Sequence, residues 1–179
     1  MVFRIIEEPV EACFEGKLSF HFTVVGGSPC QRRAMFYRSR NTRLRGVPMA
    51  YDPSANEKKL FRMAILEALR GFGVEQFRNC ERTKRNGVRL EVVFLECRPK
   101  SHLNTRGELP PNLDYLYPSK KDADNQLKFV MDALSGVFYD NDVWVRRATA
   151  EKEFFSVPTG VHVKEEDKVD RVKICVGMY

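Results

Sequence analysis

Lys120-Lys-Asp-Ala-Asp-Asn-Gln-Leu-Lys-Phe-Val-Met-Asp-Ala-Leu-Ser-Gly-Val-Phe-Tyr-Asp-Asn-Asp-Val-Trp-Val145 is the stretch around which the chain is organised. Five aspartates punctuate it: Asp122, Asp124, Asp132, Asp140 and Asp142. Leu127, Val130, Met131 and Leu134 repeat at the i, i+3, i+4, i+7 spacing of an amphipathic helix, and Gly136 stops it. Asp122 and Asp124 then stand at or just before the helix N-terminus. Being two apart, they aim to one side where the chain is extended. The turn at Gly136 reverses the chain and is expected to carry Asp140 and Asp142 back towards the first pair. Carboxylates that meet at one point repel one another unless a cation sits among them, so the pattern asks for a hard divalent ion such as magnesium.

Simpler explanations cover only part of the pattern. Aspartates at a helix start satisfy free N–H groups and the positive end of the dipole. That accounts for one of the pair, but not for two of them together with Asn125 and a second acidic turn. Asp140-Asn-Asp142 has the first spacing of a calcium loop. Trp144 and Val145, however, occupy the positions where such a loop needs an oxygen ligand and a glycine. Asp132, two turns beyond Asp124, reads as a hydrogen-bonded structural residue.

The run from Lys121 to Asp142, followed at a distance by Lys152, resembles the signature of RusA-type Holliday junction resolvases, D-x-D-N-x-x-K-x-x-x-D-A-L and then a second acidic turn. The resemblance implies a homodimeric, magnesium-dependent endodeoxyribonuclease that cleaves branched, four-way DNA in recombination and repair. Manganese is a candidate substitute for magnesium. It also implies that Asp122, Asp124 and Asp142 hold the metal and that Lys128 is an essential basic residue beside them. The family usually has two adjacent acids in the second turn. Here Asn141 takes the first of those places and Asp140 precedes it, so Asp140 and Asn125 are carried as candidate additional site residues.

Outward from this stretch, the chain has 179 residues, enough for one domain with its own core. Lys and Arg number 30 against 24 Asp and Glu, a net charge of +6 that suits a polyanionic partner without identifying one. The five cysteines are odd in number, widely spaced and without a C-x-x-C pair, and read as reduced thiols of an intracellular protein rather than as a disulfide or zinc framework. No apolar run approaches the roughly 18 residues of a membrane span, and no signal pattern opens the chain. A soluble protein is expected.

Residues 1–16 hold four glutamates and no clear period, and read as an N-terminal extension or an edge segment beside a RusA-like domain over 17–179. Lys17 to Val25 alternates as a half-buried strand with Leu18, Phe20, Phe22 and Val24 on one face and His21 on the polar one. Arg32, Arg33, Arg38, Arg40, Arg43 and Arg45 crowd into fourteen residues with Phe36 and Tyr37 among them. Arginine pairs bidentately with phosphate and aromatic faces stack on bases, so this stretch reads as a DNA contact rather than a merely solvated loop.

A capping box at Ser54 and Glu57 opens a helix to about Arg70, with Phe61, Ile65, Ala68 and Leu69 inside and Lys58, Lys59, Arg62 and Arg70 outside. Residues 73–86 read as a polar connection. Val88 to Cys97 reads as a central strand. Arg98 to Pro118 is a 21-residue loop with four prolines that runs into the aspartate pair, and a substrate contact is expected of it. His102 within it reads as a polar contact ahead of a general base. Val143 to Lys152 and Arg171 to Met178 complete the strands.

The expected fold is a single α+β domain, a mixed sheet with two main helices in β-α-β-α-β-β order. Two other function classes share these residues: a branched-DNA-binding protein of the same fold that does not cleave, and a metal-dependent nucleotide phosphohydrolase.

Overall fold

The computed structural model describes residues 3–5, 10–14, 17–26, 35–38, 48–110, 118–119, 121–155 and 169–178. In chain order the elements are strands β1 (Arg4–Ile5), β2 (Val10–Phe14), β3 (Lys17–Val25), β4 (Met35–Arg38) and β5 (Pro48–Tyr51), helices α1 (Ala55–Ala68), α2 (Val74–Asn79) and α3 (Glu81–Asn86), strand β6 (Val88–Glu96), helix α4 (Ala123–Leu134), and strands β7 (Val145–Phe154) and β8 (Arg171–Met178). The β-α-β-α-β-β frame is β3, α1, β6, α4, β7 and β8.

The main sheet runs β1-β3-β8-β6-β7, with β2 pairing the N-terminal half of the same β3 edge that β1 pairs further along. Only β6 and β7 are parallel; the other pairings are antiparallel, so the sheet is mixed. Parallel neighbours need a crossover, and α4 is that crossover. Leu90, Val92 and Phe94 of β6 point to the same face as Val172, Ile174 and Val176 of β8 and Phe20, Phe22 and Val24 of β3, all of them buried. Edge-to-face rings knit the helices onto this face: Phe61 meets Phe3 and Phe129, and Phe77 meets Phe20 and Phe138. Strands β4 and β5 form a separate hairpin.

Several sequence expectations shift here. The α4 stripe is rotated: Gln126, Phe129, Val130, Ala133 and Leu134 are buried, while Leu127 and Met131 are only partly so. The helix is wedged between β7 and α1, and Phe129 belongs to the α1 side. Residues 73–86 are not a bare connection but α2 and α3, anchored by the buried Val74 and Phe77. Ser54 is the N-cap of α1, yet its side chain makes no capping bond. The Asp52 carboxylate instead holds the N-cap residue itself, its Oδ1 accepting the Ser54 N–H at 2.8 Å.

Lys58 and Arg62 do not line a solvated face. Lys58 Nζ bridges Asp52 Oδ2 at 2.9 Å and Asp132 Oδ2 at 2.6 Å. Arg62 donates to the carbonyls of Asp132 and Ala133, two of the carbonyls that the end of α4 leaves open. Asp132 thus has the structural role expected of it.

This bridge sets a pH prediction. Burial alone would push the Asp52 pKa up and the Lys58 pKa down. The hydrogen bonds between Lys58 and its two carboxylates, with the Ser54 N–H on Asp52, outweigh burial and reverse both directions. Asp52 therefore stabilises the fold above its ordinary value of about 3.9 and loses that contribution as pH falls below it. Lys58 contributes fully below about 10.4 and loses its part as pH rises beyond. Lys58→Met is expected to cost about 1.5 kcal/mol at neutral pH, a charged hydrogen bond in a partly solvated setting. Asp52→Asn should flatten the acid limb of the stability curve below about pH 4. Chemical denaturation across pH checks both; an unchanged acid limb in Asp52→Asn overturns the assignment.

Candidate functional site

Asp122 is the N-cap of α4 in extended conformation, and its carbonyl accepts the Gln126 N–H at 3.1 Å. Its carboxylate makes no capping bond; the Asn125 amide donates to Oδ2 at 3.3 Å. Capping therefore does not use up this side chain. Asp124, in the first turn, is exposed and makes no hydrogen bond or ion pair among the described residues. Lys128 follows one turn later on the same side, exposed and likewise without an ion-pair partner among the described residues. Lys128 makes no ion pair with Asp132, whose Oδ2 is met by Lys58 instead.

Beneath this surface the start of α4 is held by buried polar contacts. Gln126 Nε2 donates to Glu96 Oε1 at 3.1 Å, tying the first turn to the end of β6. Lys152, near the end of β7, donates to the Lys121 carbonyl at 2.7 Å. Asp170 accepts the Cys97 N–H at 2.8 Å and lies 3.8 Å from Lys121 Nζ. A cavity of about 270 Å³ opens here, lined by Glu96, Cys97, His102, Lys121, Phe154 and Asp170, among others. His102 ends a short 3-10 turn with its ring edge-on to Phe154, and its buried Nδ1 has no hydrogen-bond partner among the described residues, so the side-chain contact seen is aromatic rather than polar. The loop beyond it is tied down by Asn104 Oδ1, which accepts the N–H groups of Arg106 and Glu108, and by the buried Leu109. Residues 111–117 lie outside the described residues.

Asp140 and Asp142 do not return to Asp122 and Asp124 within one chain. The chain descends α4, turns through residues 135–144 and climbs again along β7, so that Lys152 rather than Asp142 comes back beside Lys121. Asp142 is left at the far end of a 12-residue helix, a separation of about 18 Å along the axis. Asp140 leans on Arg78, whose guanidinium also donates to the Gly136 carbonyl at 2.7 Å. Asn141 serves the turn itself, because its Oδ1 accepts the Val143 N–H at 3.1 Å and so caps Asp142–Trp144. Asp142 itself is exposed. Its charge, after burial, helps to push the Tyr139 phenol well above its ordinary pKa, and Tyr139 donates to the Met131 carbonyl instead.

Among the described residues no group of three or more His, Cys, Asp or Glu side chains is placed to hold a metal ion. Asp122 and Asp124 stand together at the start of α4, and Asp142 stands at its other end. Arg32, Arg33, Arg40, Arg43 and Arg45 lie outside the described residues, and Arg38 ends β4. Glu96 and Gln126 carry no local sequence pattern that assigns them this support; the register of β6 and β7 brings Glu96 and Lys152 to the start of α4, where they meet Gln126 and the Lys121 carbonyl. No helix among the described residues is long and apolar enough to cross a membrane.

A family model described as endodeoxyribonuclease RusA matches residues 32–166. No curated protein and no solved structure matches the chain.

Proposed function

The chain belongs to the endodeoxyribonuclease RusA family, and on that premise we propose that it is a magnesium-dependent endonuclease that resolves four-way DNA junctions in recombination and repair. The observation that carries the reading is the exposed surface at the start of α4. Asp124 and Lys128 there have no ion-pair partner among the described residues, and the Asp122 carboxylate is not taken up by capping. Charged side chains left open on a helix whose other contacts already hold it in place serve a ligand better than they serve the fold.

The carboxylates of one chain do not close a shell around an ion, since Asp142 stands at the other end of α4. A homodimer supplies what is missing if Asp142 of one copy meets Asp122 and Asp124 of the other. Two such centres related by a two-fold axis also suit a four-way junction, whose resolution requires a nick in each of two strands. Magnesium fits an all-oxygen donor set of this kind, and manganese can replace it. Such an ion supplies the activation of water and of the scissile phosphate that hydrolysis needs. Lys128 is assigned to the phosphate, where its charge offsets the negative charge that builds up in the transition state. Asn125 orients Asp122, and Asp140 supports the turn through Arg78.

The test is cleavage of a synthetic four-way junction in magnesium, beside linear duplex and nucleoside triphosphate. Cutting of the junction alone is expected. Binding without cutting would favour a non-cleaving junction binder, and turnover of triphosphates a phosphohydrolase.

The arginines between residues 32 and 45 are proposed as phosphate contacts. Each contact to B-form DNA contributes about −0.9 to the slope of log affinity against log salt. Replacing Arg38, Arg40 and Arg43 by alanine should flatten that slope by up to about 2.7 by the same rule. Fluorescence titrations over a salt series check this, and an unchanged slope with unchanged affinity returns the stretch to a solvated loop.

A further inference from the structure

The outer face of α1 carries Leu60, Met63 and Leu66, 45%, 54% and 49% exposed. They are three of the five large apolar side chains exposed among the described residues. Lys59 and Glu67 share the face and are also exposed. Other faces of the helix serve the fold: Phe61 and Ile65 are fully buried, and Lys58 and Arg62 are bonded to α4. Among the described residues nothing makes use of the remaining stripe.

The order of residues along this stripe is symmetric about Met63. Leu60 and Leu66 lie three residues before and after it, and Lys59 and Glu67 four residues before and after. An antiparallel copy of α1 related by a two-fold axis through Met63 therefore sets Met63 against itself and Leu60 near Leu66 of the partner subunit. The same axis sets Lys59 against Glu67 of the partner subunit, twice over and with opposite charges. Residues 59, 63 and 67 also form an i±4 ridge, the ridge that the commonest class of helix crossing, near −50°, aligns between two helices. An isologous contact demands this pattern: residue i touches j while j touches i. A groove-binding partner of another kind gives no reason for opposite charges at equal distances from a central methionine.

We propose that α1 is the centre of an interface between two copies of this chain, with the two-fold axis at Met63. The proposal deepens the homodimer put forward above and rests on it. Apolar side chains in the middle with charge pairs at the rim are the ordinary anatomy of such a patch. The helix face forms the heart of the roughly 800 Å² a side that a specific dimer buries.

Sedimentation equilibrium of the full chain reads the association directly. Lys59→Glu and Glu67→Lys each create two like-charge pairs across the axis, and each should weaken the dimer about tenfold. The double reversal restores both pairs and should return the Kd to within about threefold of wild type. All three variants change exposed side chains, so each should keep the fold and give a wild-type circular-dichroism spectrum. Met63→Cys should form a covalent dimer under mild oxidation, with the wild-type chain and its five native cysteines as the control. A dimeric wild type whose Kd is indifferent to both reversals, and whose Met63→Cys form does not cross-link, overturns this surface and leaves the homodimer standing. A wild type that stays monomeric overturns both.

Discussion

Asp124→Asn should abolish cleavage of a four-way junction in magnesium while the protein still folds and binds the junction. The side chain is exposed and makes no hydrogen bond or ion pair among the described residues, so folding loses only a helix-dipole interaction of about 0.3–1 kcal/mol. Binding should hold or tighten, because a negative charge near phosphate is removed. The chemical step should slow roughly a thousandfold or more, since a metal ion's charge stabilisation is worth several kcal/mol. Asp122→Asn should behave alike, asparagine being as good an N-cap as aspartate. Asp142→Asn should be equally inactive, although it lies at the other end of α4. Asp140→Asn should show a milder loss, because its carboxylate serves Arg78.

The separation of Asp142 from Asp124 makes a sharper version of this result. If the centre forms between copies, mixing Asp124→Asn with Asp142→Asn protein pairs one intact half-shell with one intact Asp142. Nicking activity should then reappear from two inactive preparations. A centre built within one chain predicts no such rescue. Near-wild-type cutting by Asp124→Asn alone would remove these residues from the chemistry altogether.

Local pattern was a good guide to α4, β3, β6 and the pair at the helix start, because each is written in residues a few positions apart. Alternation over Lys17–Val25 and the run at Val88–Glu96 reach directly to buried faces. The features that were not legible depend on partners far along the chain. Lys58 and Arg62 look like any solvated basic pair until Asp132 and Ala133, about seventy positions away, arrive beside them. Gln126 is polar and so drops out of an apolar stripe, yet Glu96 offsets the cost of burying it, and the buried arc of α4 turns towards it.

The destination of Asp142 is the most instructive miss. A turn of ten residues after α4 can lead back along the helix or stop at its foot. What decides is that β7 pairs parallel to β6, so the strand must begin at the foot of α4 and end near its start. No spacing within residues 120–145 encodes that pairing. The acidic turn was readable as a turn, but not as a place.

Lys128→Ala separates the lysine's role in the reaction from a role on the helix surface. Its side chain leaves α4 on the side of Asp124, away from the buried Phe129, Val130 and Ala133. An exposed i, i+4 pair with Asp124 or Asp132 contributes only about 0.3–0.5 kcal/mol, and Asp132 is already engaged by Lys58. The variant should therefore melt with wild type and bind a junction within a few-fold of it. A lysine that meets charge developing on the scissile phosphate is worth far more, roughly 3 kcal/mol or a hundredfold in rate. Cleavage at saturating protein in a single turnover reads this step without interference from product release. Lys128→Arg offers a control that keeps the charge but moves its centre, and it should recover part of the rate if charge on the phosphate is what matters. Raising magnesium should not rescue the alanine variant, because the deficit lies in the phosphate's surroundings rather than in metal occupancy. A rate within about threefold of wild type, where the expected loss is near a hundredfold, assigns Lys128 to the helix surface and leaves the carboxylates and their ion to act without it.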